Sequence, residues 1–333
     1  MAFTSAALNL LLAWLLASSV AASAQANSSY VGYLISTFSD KNPTVQWYLS
    51  KGNDPSTYSF LNKRQPILKS TVGTRAVRDV FLATNSARDQ WFMLCTDLDV
   101  TAPGFSWNRA TRSGSRSMVI WRSSNLVDWS GPTLVEVEDK TAGMLWAPSA
   151  VWDDATSQYY VFWSSQLYSS SDSSHSGTAS LKRIRYATTK DFVTFSAPRD
   201  YLAPAKSAVI DQEFLSLGQP GHYARFYKDE SAGSHVVIET SSSGLFGQWT
   251  RLGNVRGEGG REGAAAFADN TTPGKYYLLL DNYTQYLPFQ TSNIGAVPWA
   301  AANWPNFPAG LKHGSVTPLT RQEYDAVASR YPA

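Results

Sequence analysis

Residues 159–164 read YYVFWS, and residues 184–195 read IRYATTKDFVTF after a serine-rich interval. The first stretch is rich in aromatic and β-branched residues, which favour a strand, and the second is a strand that runs into a polar turn. This pair of stretches occurs five times. The other first members are residues 33–38, 91–96, 223–228 and 276–280, and the other second members are residues 46–60, 118–129, 236–249 and 288–299. Five sheet-forming repeats predict an all-β chain folded as a five-bladed β-propeller.

A further short apolar strand precedes four of these pairs, and a fifth such strand lies near the C-terminus. These strands cover residues 79–83, 149–152, 211–217, 263–268 and 314–319. The last strand has no partners downstream, whereas the pair within residues 33–60 has no such strand upstream. We therefore predict that N-terminal and C-terminal strands share one blade and close the ring.

The innermost strands of a propeller line one central funnel, so residues far apart in sequence meet there. The funnel positions predicted at the starts of these strands are Asp79, Ser149, Asp211, Glu262 and His313. Hydrolysis of a glycosidic bond needs one carboxylic acid and one carboxylate, and a third acidic group can tune the pKa of the acid. Three carboxylates on separate inner strands therefore predict a glycosidase site.

The composition favours a neutral ligand over a nucleic acid. Charged residues make up 16% of the chain, aromatic residues 13%, and the net charge is +2. Because the chain has no basic stripe, we do not expect nucleic acid as a partner. Trp107 and Trp146 are candidates for stacking on a sugar, and Ser149, Arg78 and Arg261 are candidates for contacting its hydroxyl groups. Packing between blades is the structural alternative for the tryptophans, and an ion pair between blades or solvent exposure is the alternative for the arginines.

The first residues predict a secreted protein. Residues 6–20 are almost uninterruptedly apolar, and small residues follow up to Ala24 and Ala26, which is typical of a signal peptide and its cleavage site. We predict a signal peptide over residues 1–26 and a single propeller domain over residues 27–333, with no membrane span. Glycosylation sequons occur at Asn27, Asn270 and Asn282.

Three further features have a structural interpretation. The single cysteine, Cys95, lies within a predicted strand and is expected to be a small buried apolar residue. Asn53-Asp54-Pro55 is similar to the nucleophile motif of invertase-like propellers, but its place in a hairpin predicts a turn at the outer edge. Asp40 and Asp97 are rivals of Asp79 for the catalytic base, and each lies at the far end of a strand.

The order of several short motifs resembles glycoside hydrolase family 43 over essentially the whole mature chain. The matching stretches are Val77-Arg78-Asp79, Trp146-Ala147-Pro148, Ile210-Asp211, Glu262-Gly263 and Lys312-His313-Gly314. Members of that family are five-bladed propellers that act on arabinose- and xylose-containing polysaccharides with inversion at the anomeric carbon. The resemblance implies an enzyme of this kind, with α-L-arabinofuranosidase as the first expectation.

The resemblance also assigns roles to individual residues. Asp79 would be the general base, Asp211 the residue that modulates the pKa of the acid, and Glu262 the general acid. His313 would lie at the base of the funnel, where some relatives hold a hydrated ion. No cofactor is expected to be required, with a structural calcium or other hydrated ion near His313 as the exception. We expect a monomer whose partner is a polysaccharide or oligosaccharide substrate.

The chain departs from the family pattern beside its catalytic motifs. Val80 and Ala264 replace prolines that usually follow the base and the Glu-Gly pair, and Ser149 stands where relatives often have an acidic residue. None of these changes removes a catalytic carboxylate, but the loss of the two prolines relaxes the backbone next to the base and the acid. A carbohydrate-binding propeller without catalytic activity is therefore the alternative, and a protein-interaction propeller is a weaker one.

Overall fold

The computed structural model describes residues 30–231 and 233–333. The predicted signal peptide and the Asn27 sequon lie outside these residues. Twenty strands form five four-stranded antiparallel sheets within the described ranges. The prediction of a five-bladed β-propeller is therefore confirmed. None of the helices in the described ranges is both long and apolar enough to cross a membrane.

Each blade consists of strands in antiparallel order from the centre outward. Blade 1 contains β4 (Val77–Thr84), β5 (Trp91–Asp97), β6 (Ser117–Ser123) and β7 (Ser130–Glu136). Blade 2 contains β8 (Trp146–Asp153), β9 (Gln158–Ser165), β10 (Arg183–Thr189) and β11 (Arg199–Leu202). Blade 3 contains β12 (Val209–Ser216), β13 (Tyr223–Asp229), β14 (His235–Ser241) and β15 (Thr250–Asn254). Blade 4 contains β16 (Glu262–Ala268), β17 (Tyr276–Asp281), β18 (Tyr286–Thr291) and β19 (Ala300–Ala301).

Blade 5 joins the two ends of the described chain. Its strands, in order from the centre, are β20 (Ser315–Thr320), β1 (Tyr30–Ser39), β2 (Asn42–Lys51) and β3 (Asp54–Phe60). Ile35 of β1 pairs with Val316 of β20, so the predicted ring closure is confirmed. The short helix α1 (Trp107–Arg112) lies between β5 and β6 of blade 1. The helix α2 (Arg321–Arg330) follows β20 directly, and Thr320 and Glu323 form the capping box that starts it.

The outermost strands are the elements that the sequence patterns did not separate. We predicted three strands per blade, whereas the structure has four. Most residues of β7, β11, β15 and β19 are exposed or half-buried, so these strands lack the apolar alternation by which a strand is recognised. The Asn53 turn lies between β2 and β3, at the outer side of blade 5, as predicted.

Large side chains fill the spaces between neighbouring blades. Trp47 and Trp91 belong to one core cluster shared by blades 5 and 1, and Trp163 belongs to a cluster shared by blades 1 and 2. Fully burying one such side chain contributes about 1.5–3 kcal/mol. Cys95 is fully buried in the first of these clusters, as expected of a small apolar residue. This packing holds the inner strands together around the axis.

Candidate active site

The inner strands of blades 1 to 4 carry a β-bulge at the same register. The pairing with the second strand shifts directly after Arg78, Trp146, Ile210 and Glu262. The residue that follows has a positive φ in each blade, namely Asp79 (51°), Ala147 (49°), Asp211 (58°) and Gly263 (57°). A bulge turns a side chain out of the regular alternation, and bulges are frequent beside active sites. Asp79 and Asp211 therefore share the same positive-φ backbone conformation, at equivalent positions of blades 1 and 3.

The five predicted funnel residues are not at equivalent positions, which corrects part of our sequence analysis. In blade 5, the backbone N–H of Lys312 donates to the carbonyl oxygen of Phe38, and Ser315 pairs with Ser36. His313 lies between these two contacts, at the position that corresponds to the bulge residue of the other blades. Glu262 lies one residue before its bulge, and Ser149 lies two residues after the bulge position of its strand. A bulge adds one residue to a strand without changing the hydrophobic pattern of that strand. Counting positions from the start of each apolar run therefore placed Glu262 and Ser149 at positions equivalent to Asp79, which is wrong.

Asp79 is held as a carboxylate by two side chains. Thr96 Oγ1 donates to Asp79 Oδ2 at 2.8 Å, and His313 Nδ1 lies 3.3 Å from Asp79 Oδ1. Burial opposes ionisation, but the hydrogen bond and charge of His313 keep the pKa of Asp79 below its usual value. Burial also opposes a charged imidazole, yet the hydrogen bond to Asp79 and the nearby charge of Asp211 raise the pKa of His313 to about 9. The pair is therefore a carboxylate beside an imidazolium at neutral pH.

Asp211 is the carboxyl group that favours its neutral form. Its side chain is buried, and its Oδ2 accepts a 3.3 Å hydrogen bond from the backbone N–H of Gly263. Burial, opposed by the charge of His313 and assisted by that of Glu262, raises the pKa of Asp211 to about 7. Two carboxyl groups on blades 1 and 3 thus have pKa values shifted in opposite directions.

Glu262 is paired with a lysine that the sequence analysis did not select. Lys228 Nζ lies 2.8 Å from Glu262 Oε2 and 3.8 Å from Glu230 Oε1. Burial opposes the charged ammonium, but the charges of Glu262 and Asp211 raise the pKa of Lys228. Lys228 is the last residue but one of β13, and a lysine directly after the buried aromatic run YARFY was the available signal.

The residues predicted to contact a sugar lie in different surroundings. The ring of Trp107, which is 56% exposed, meets that of Trp146 edge to face at 5.8 Å, so the two can form one apolar surface. Arg78 pairs with Asp40 at 2.8 Å, and Arg261 donates to the carbonyl group of Gly260 at 3.0 Å. Arg78 therefore has a charged partner in blade 5, whereas Arg261 donates only to backbone carbonyl groups of its own loop.

The side chains of two other predicted residues already form hydrogen bonds within the protein. Ser149 is 3% exposed, and its hydroxyl donates to the carbonyl oxygen of Gln212 at 2.8 Å, which links blades 2 and 3. A sugar contact by Ser149 would require breaking that bond. Asp97 accepts hydrogen bonds from the backbone N–H and hydroxyl of Thr74, so this rival of Asp79 is used in a loop.

The surroundings of His313 do not by themselves fit a directly coordinated ion. Among residues 30–231 and 233–333, no three His, Cys, Asp or Glu side chains are grouped so that they could hold a metal. Nδ1 of His313 faces the carboxylate of Asp79, which suits a hydrogen-bond donor. The prediction of a hydrated ion near His313 stays a prediction.

Two cavities lie along the propeller axis. A small one of about 10 Å³, close to the space of one water molecule, is lined by Asp79, His313 and Glu213 among others. A larger cavity, of about 760 Å³, is lined by later residues of the inner strands, including Phe214 and Phe267, and by none of the three carboxylates. The catalytic candidates therefore lie away from this larger cavity.

These features define an all-β, five-bladed propeller with acidic side chains converging at its centre. The chain belongs to a family related to glycoside hydrolase family 43, because residues 28–325 match the model of a family described as a probable glycosyl hydrolase domain. The resemblance seen in the sequence motifs is thereby confirmed.

The proteins similar to this chain include a curated enzyme and a solved structure. An α-L-arabinofuranosidase of Bifidobacterium longum subsp. longum is 31% identical over 229 residues, which are 65% of this chain and 21% of the relative. This chain thus matches only about a fifth of that protein's length. The crystal structure of a thermostable family-43 glycoside hydrolase superimposes with a TM-score of 0.50 at 18% identity, covering 75% of this chain and 82% of that one. The second similarity concerns the fold alone.

Proposed function

We propose that this protein hydrolyses glycosidic bonds with inversion at the anomeric carbon. The observation that carries the proposal is the convergence of Asp79, Asp211 and Glu262 on inner strands of three blades, in electrostatically different surroundings. The family of the chain supports the same reaction class. Hydrolysis by this route needs a base that is ionised and an acid that carries a proton.

Asp79 is the proposed general base. Its carboxylate is fixed by Thr96 and His313, and the lowered pKa keeps it ionised at neutral pH. It takes a proton from a water molecule while the water oxygen forms a bond to the anomeric carbon. The bond between that carbon and the leaving oxygen breaks in the same step.

Glu262 is the proposed general acid, with Asp211 as its modulator. Glu262 gives its proton to the leaving oxygen, so that the group departs as a neutral alcohol. Asp211 is bonded to the backbone N–H of Gly263, directly after Glu262, and its raised pKa keeps part of the population neutral near pH 7. After product release, Asp79 loses a proton to solvent and Glu262 regains one, which restores the starting state.

The proposed substrate is a terminal α-L-arabinofuranosyl unit of a plant cell-wall polysaccharide or oligosaccharide. The name of the Bifidobacterium relative supports arabinose as the sugar. The exposed face formed by Trp107 and Trp146 offers a stacking surface for further sugar units. We propose a monomer that uses neither a nucleic acid nor a membrane as partner and needs no cofactor.

Secretion is also a proposal, supported by the apolar residues 6–20 and the small residues that follow. The glycosylation sequons do not support secretion equally. Asn270 is 4% exposed, and its side-chain amide donates to the backbone carbonyl oxygen of Gly32 and to the side-chain Oδ1 of Asn53. We therefore expect no glycan at Asn270 in the folded protein, whereas Asn282 lies half-buried in a loop.

One observation favours the alternative of a sugar-binding propeller without catalysis. Glu262 is paired with the ammonium of Lys228 at 2.8 Å, so its carboxyl group already has a partner within the fold. The two functions make different predictions for a substitution that keeps the shape of Glu262 and removes its acidity.

Sugar release by the purified protein tests the proposal. The substrates are arabinan, arabinoxylan, xylan, galactan and the corresponding nitrophenyl glycosides, each with the wild type, Glu262→Gln and the control Glu258→Gln. Glu258 is 59% exposed and four residues away. We expect Glu262→Gln to lower the turnover rate roughly 10²–10⁴-fold and to leave sugar binding intact, with Glu258→Gln unchanged. Binding of a polymer by folded wild type without any release would support the binding function instead.

A further inference from the structure

The second strand of each of the first four blades carries a polar residue at one shared register, opposite the residue that precedes the bulge. These residues are Thr96, Ser164, Lys228 and Asp281. Because this register lies beside the bulge of the next blade, all four side chains can reach across the blade interface. The shared position allows the four contacts to be compared directly.

Three of these four residues accept a backbone hydrogen bond from the next blade. Thr96 Oγ1 accepts from the N–H of Ala147 at 2.8 Å, and Ser164 Oγ accepts from the N–H of Asp211 at 2.9 Å. Asp281 Oδ2 accepts from the N–H of His313 at 3.2 Å. In each case the donor is the residue at the bulge position of the next blade. The residue at the shared register of the second strand therefore normally accepts a hydrogen bond from that backbone N–H.

Lys228 departs from this pattern because an ammonium group cannot accept a hydrogen bond. The corresponding N–H, that of Gly263, donates instead to Asp211 Oδ2 at 3.3 Å. Lys228 itself pairs with the side chain of Glu262, and its own side chain is only 7% exposed. A buried cation in place of a hydrogen-bond acceptor lowers the stability of the fold unless an opposite charge is paired with it.

We propose that Lys228 is a positioning residue for the general acid: its ammonium holds the Glu262 carboxyl group in a fixed orientation. The inference rests on the proposed function of Glu262. Lys228 holds one carboxylate oxygen, so the side chain of Glu262 is oriented before substrate arrives. The ammonium also stabilises Glu262 as it loses its proton to the leaving oxygen.

Several other charged groups face this pair from the surrounding elements. Glu230 follows β13 and is paired with Lys182, which precedes β10. Asp211 on β12 and His313 before β20 act on the same cluster, and Asp79 acts on Asp211. Asp281 lies opposite Glu262 on β17 and is paired with Lys312. Arg261 adjoins Glu262 in sequence, and the ring of Tyr283 lies 5.1 Å from the ammonium of Lys228.

Four substitutions separate the role of Lys228 from general effects of charge. Lys228→Met and Lys228→Gln remove the ammonium, and Lys228→Arg retains a positive charge. Lys182→Met is the matched control, because it removes a lysine from the same ion-pair chain without touching Glu262. Using two neutral variants keeps the test valid if one of them fails to fold.

The first readout is the split between kcat and KM for sugar release. We expect kcat to fall roughly tenfold in the neutral variants through lost orientation of Glu262, with little change in KM. Lys228→Arg should restore most of the rate, and Lys182→Met should match the wild type. A folded neutral variant that keeps the kcat of the wild type would overturn the proposal.

The second readout does not depend on activity. The ¹³C resonance of the Glu262 carboxyl carbon, identified by its absence in Glu262→Gln, is recorded under one set of conditions in the wild type and the Lys228 variants. A signal that moves or broadens in Lys228→Met or Lys228→Gln and returns towards that of the wild type in Lys228→Arg supports the proposal even if the wild type releases no sugar, in which case only the proposed function fails. The same signal in all variants would refute the role of Lys228.

Discussion

At the scale of single residues, Glu213 is a buried acid that the proposed reaction does not use. It is 6% exposed, lines both axial cavities, and accepts a 2.9 Å hydrogen bond from the N–H of Ala266. Burial, only partly opposed by that hydrogen bond, raises the pKa of Glu213 to about 8. Its carboxyl group is therefore neutral in the folded state at pH 7.

This raised pKa makes stability depend on pH. Between the ordinary pKa of a glutamate and about 8, the folded state binds more protons than the unfolded state, so the free energy of unfolding falls as pH rises. Glu213→Gln removes this contribution, which amounts to about 1.4 kcal/mol for each pH unit of that interval. Asp211 has a shift of the same sign and remains in both proteins. The variant should equal the wild type near pH 5 and exceed its stability near pH 9.

Chemical denaturation at pH 5, 7 and 9 measures this difference. Glu136→Gln is the control, because Glu136 is 62% exposed and should leave the pH dependence unchanged. If Glu213→Gln and the wild type lose stability in parallel between pH 5 and pH 9, then Glu213 is not buried as a neutral acid.

The residues of the site were only partly predictable from the sequence. Asp79, Asp211 and Glu262 could be found because acidic residues at the starts of apolar strands are conspicuous. Lys228 was missed because a charged residue at the end of a strand is ordinarily solvent-exposed, and its true surroundings depend on the neighbouring blade. Ser149 was selected by position, but its hydroxyl is used between blades 2 and 3.

At the scale of elements, the β-bulges of the inner strands determine where the catalytic side chains lie. Gly263 has a φ of +57°, and a Cβ atom there would lie 2.7 Å from Cγ of His313. Gly263→Ala therefore adds both backbone strain, about 1–2 kcal/mol, and a collision that pushes His313 from its place beside Asp79. We expect a lower free energy of unfolding together with a loss of activity.

Ala147 provides the matched control, because it occupies the same bulge position in blade 2 with a φ of +49°. Ala147→Gly relieves strain and removes one buried methyl group, so its stability should change by less than about 1 kcal/mol. Urea denaturation and sugar release are measured for both variants. A Gly263→Ala protein as stable and active as the wild type would contradict the proposed contact with His313.

The bulges and the outer strands were the elements that the sequence did not predict. A bulge inserts one residue whose effect on register is invisible in the apolar pattern, which is why Glu262 and Ser149 were assigned to equivalent positions. The outer strand β19 is only two residues long and exposed, so it has no hydrophobic signal. The inner strands, by contrast, were predictable from their compact apolar runs.

At the scale of the whole molecule, closure of the ring depends on contacts between blade 1 and the C-terminal elements. Arg88 donates to both carboxylate oxygens of Glu323 in α2 and to the carbonyl oxygen of Pro318 in β20. Its guanidinium also lies 5.2 Å from the ring centre of Tyr30 in β1. One side chain thus joins blade 1 to both strands that close the ring.

Arg88→Met should lower the free energy of unfolding by about 2–4 kcal/mol, because it leaves Glu323 without its partner in a mostly buried place. Arg321→Met is the control: its ion pair with Asp325 lies on the same helix but is exposed, so less than about 0.5 kcal/mol is expected. Chemical denaturation measures both. Equal effects would show that the Arg88 contacts do not secure the closure.

Ring closure was predictable because the strand count was incomplete at each end of the chain. The apolar strand at residues 314–319 lacked partners, and the pair within residues 33–60 lacked an inner strand, so only a shared blade completed both. The contacts of Arg88 were not predictable, because nothing in the sequence places the turn after β4 beside α2. Long-range packing of this kind becomes visible only in the folded chain.

The stereochemistry of the first product tests the central claim most directly. Proton NMR follows the anomeric signal of arabinose released from an α-L-arabinofuranoside by the wild type, before mutarotation, with Glu262→Gln as the control. Asp79 acting on water and Glu262 acting on the leaving oxygen predict that the β-anomer appears first and that release is nearly abolished in the variant. Initial release of the α-anomer, or no release by the folded wild type, would contradict the proposed inverting glycosidase.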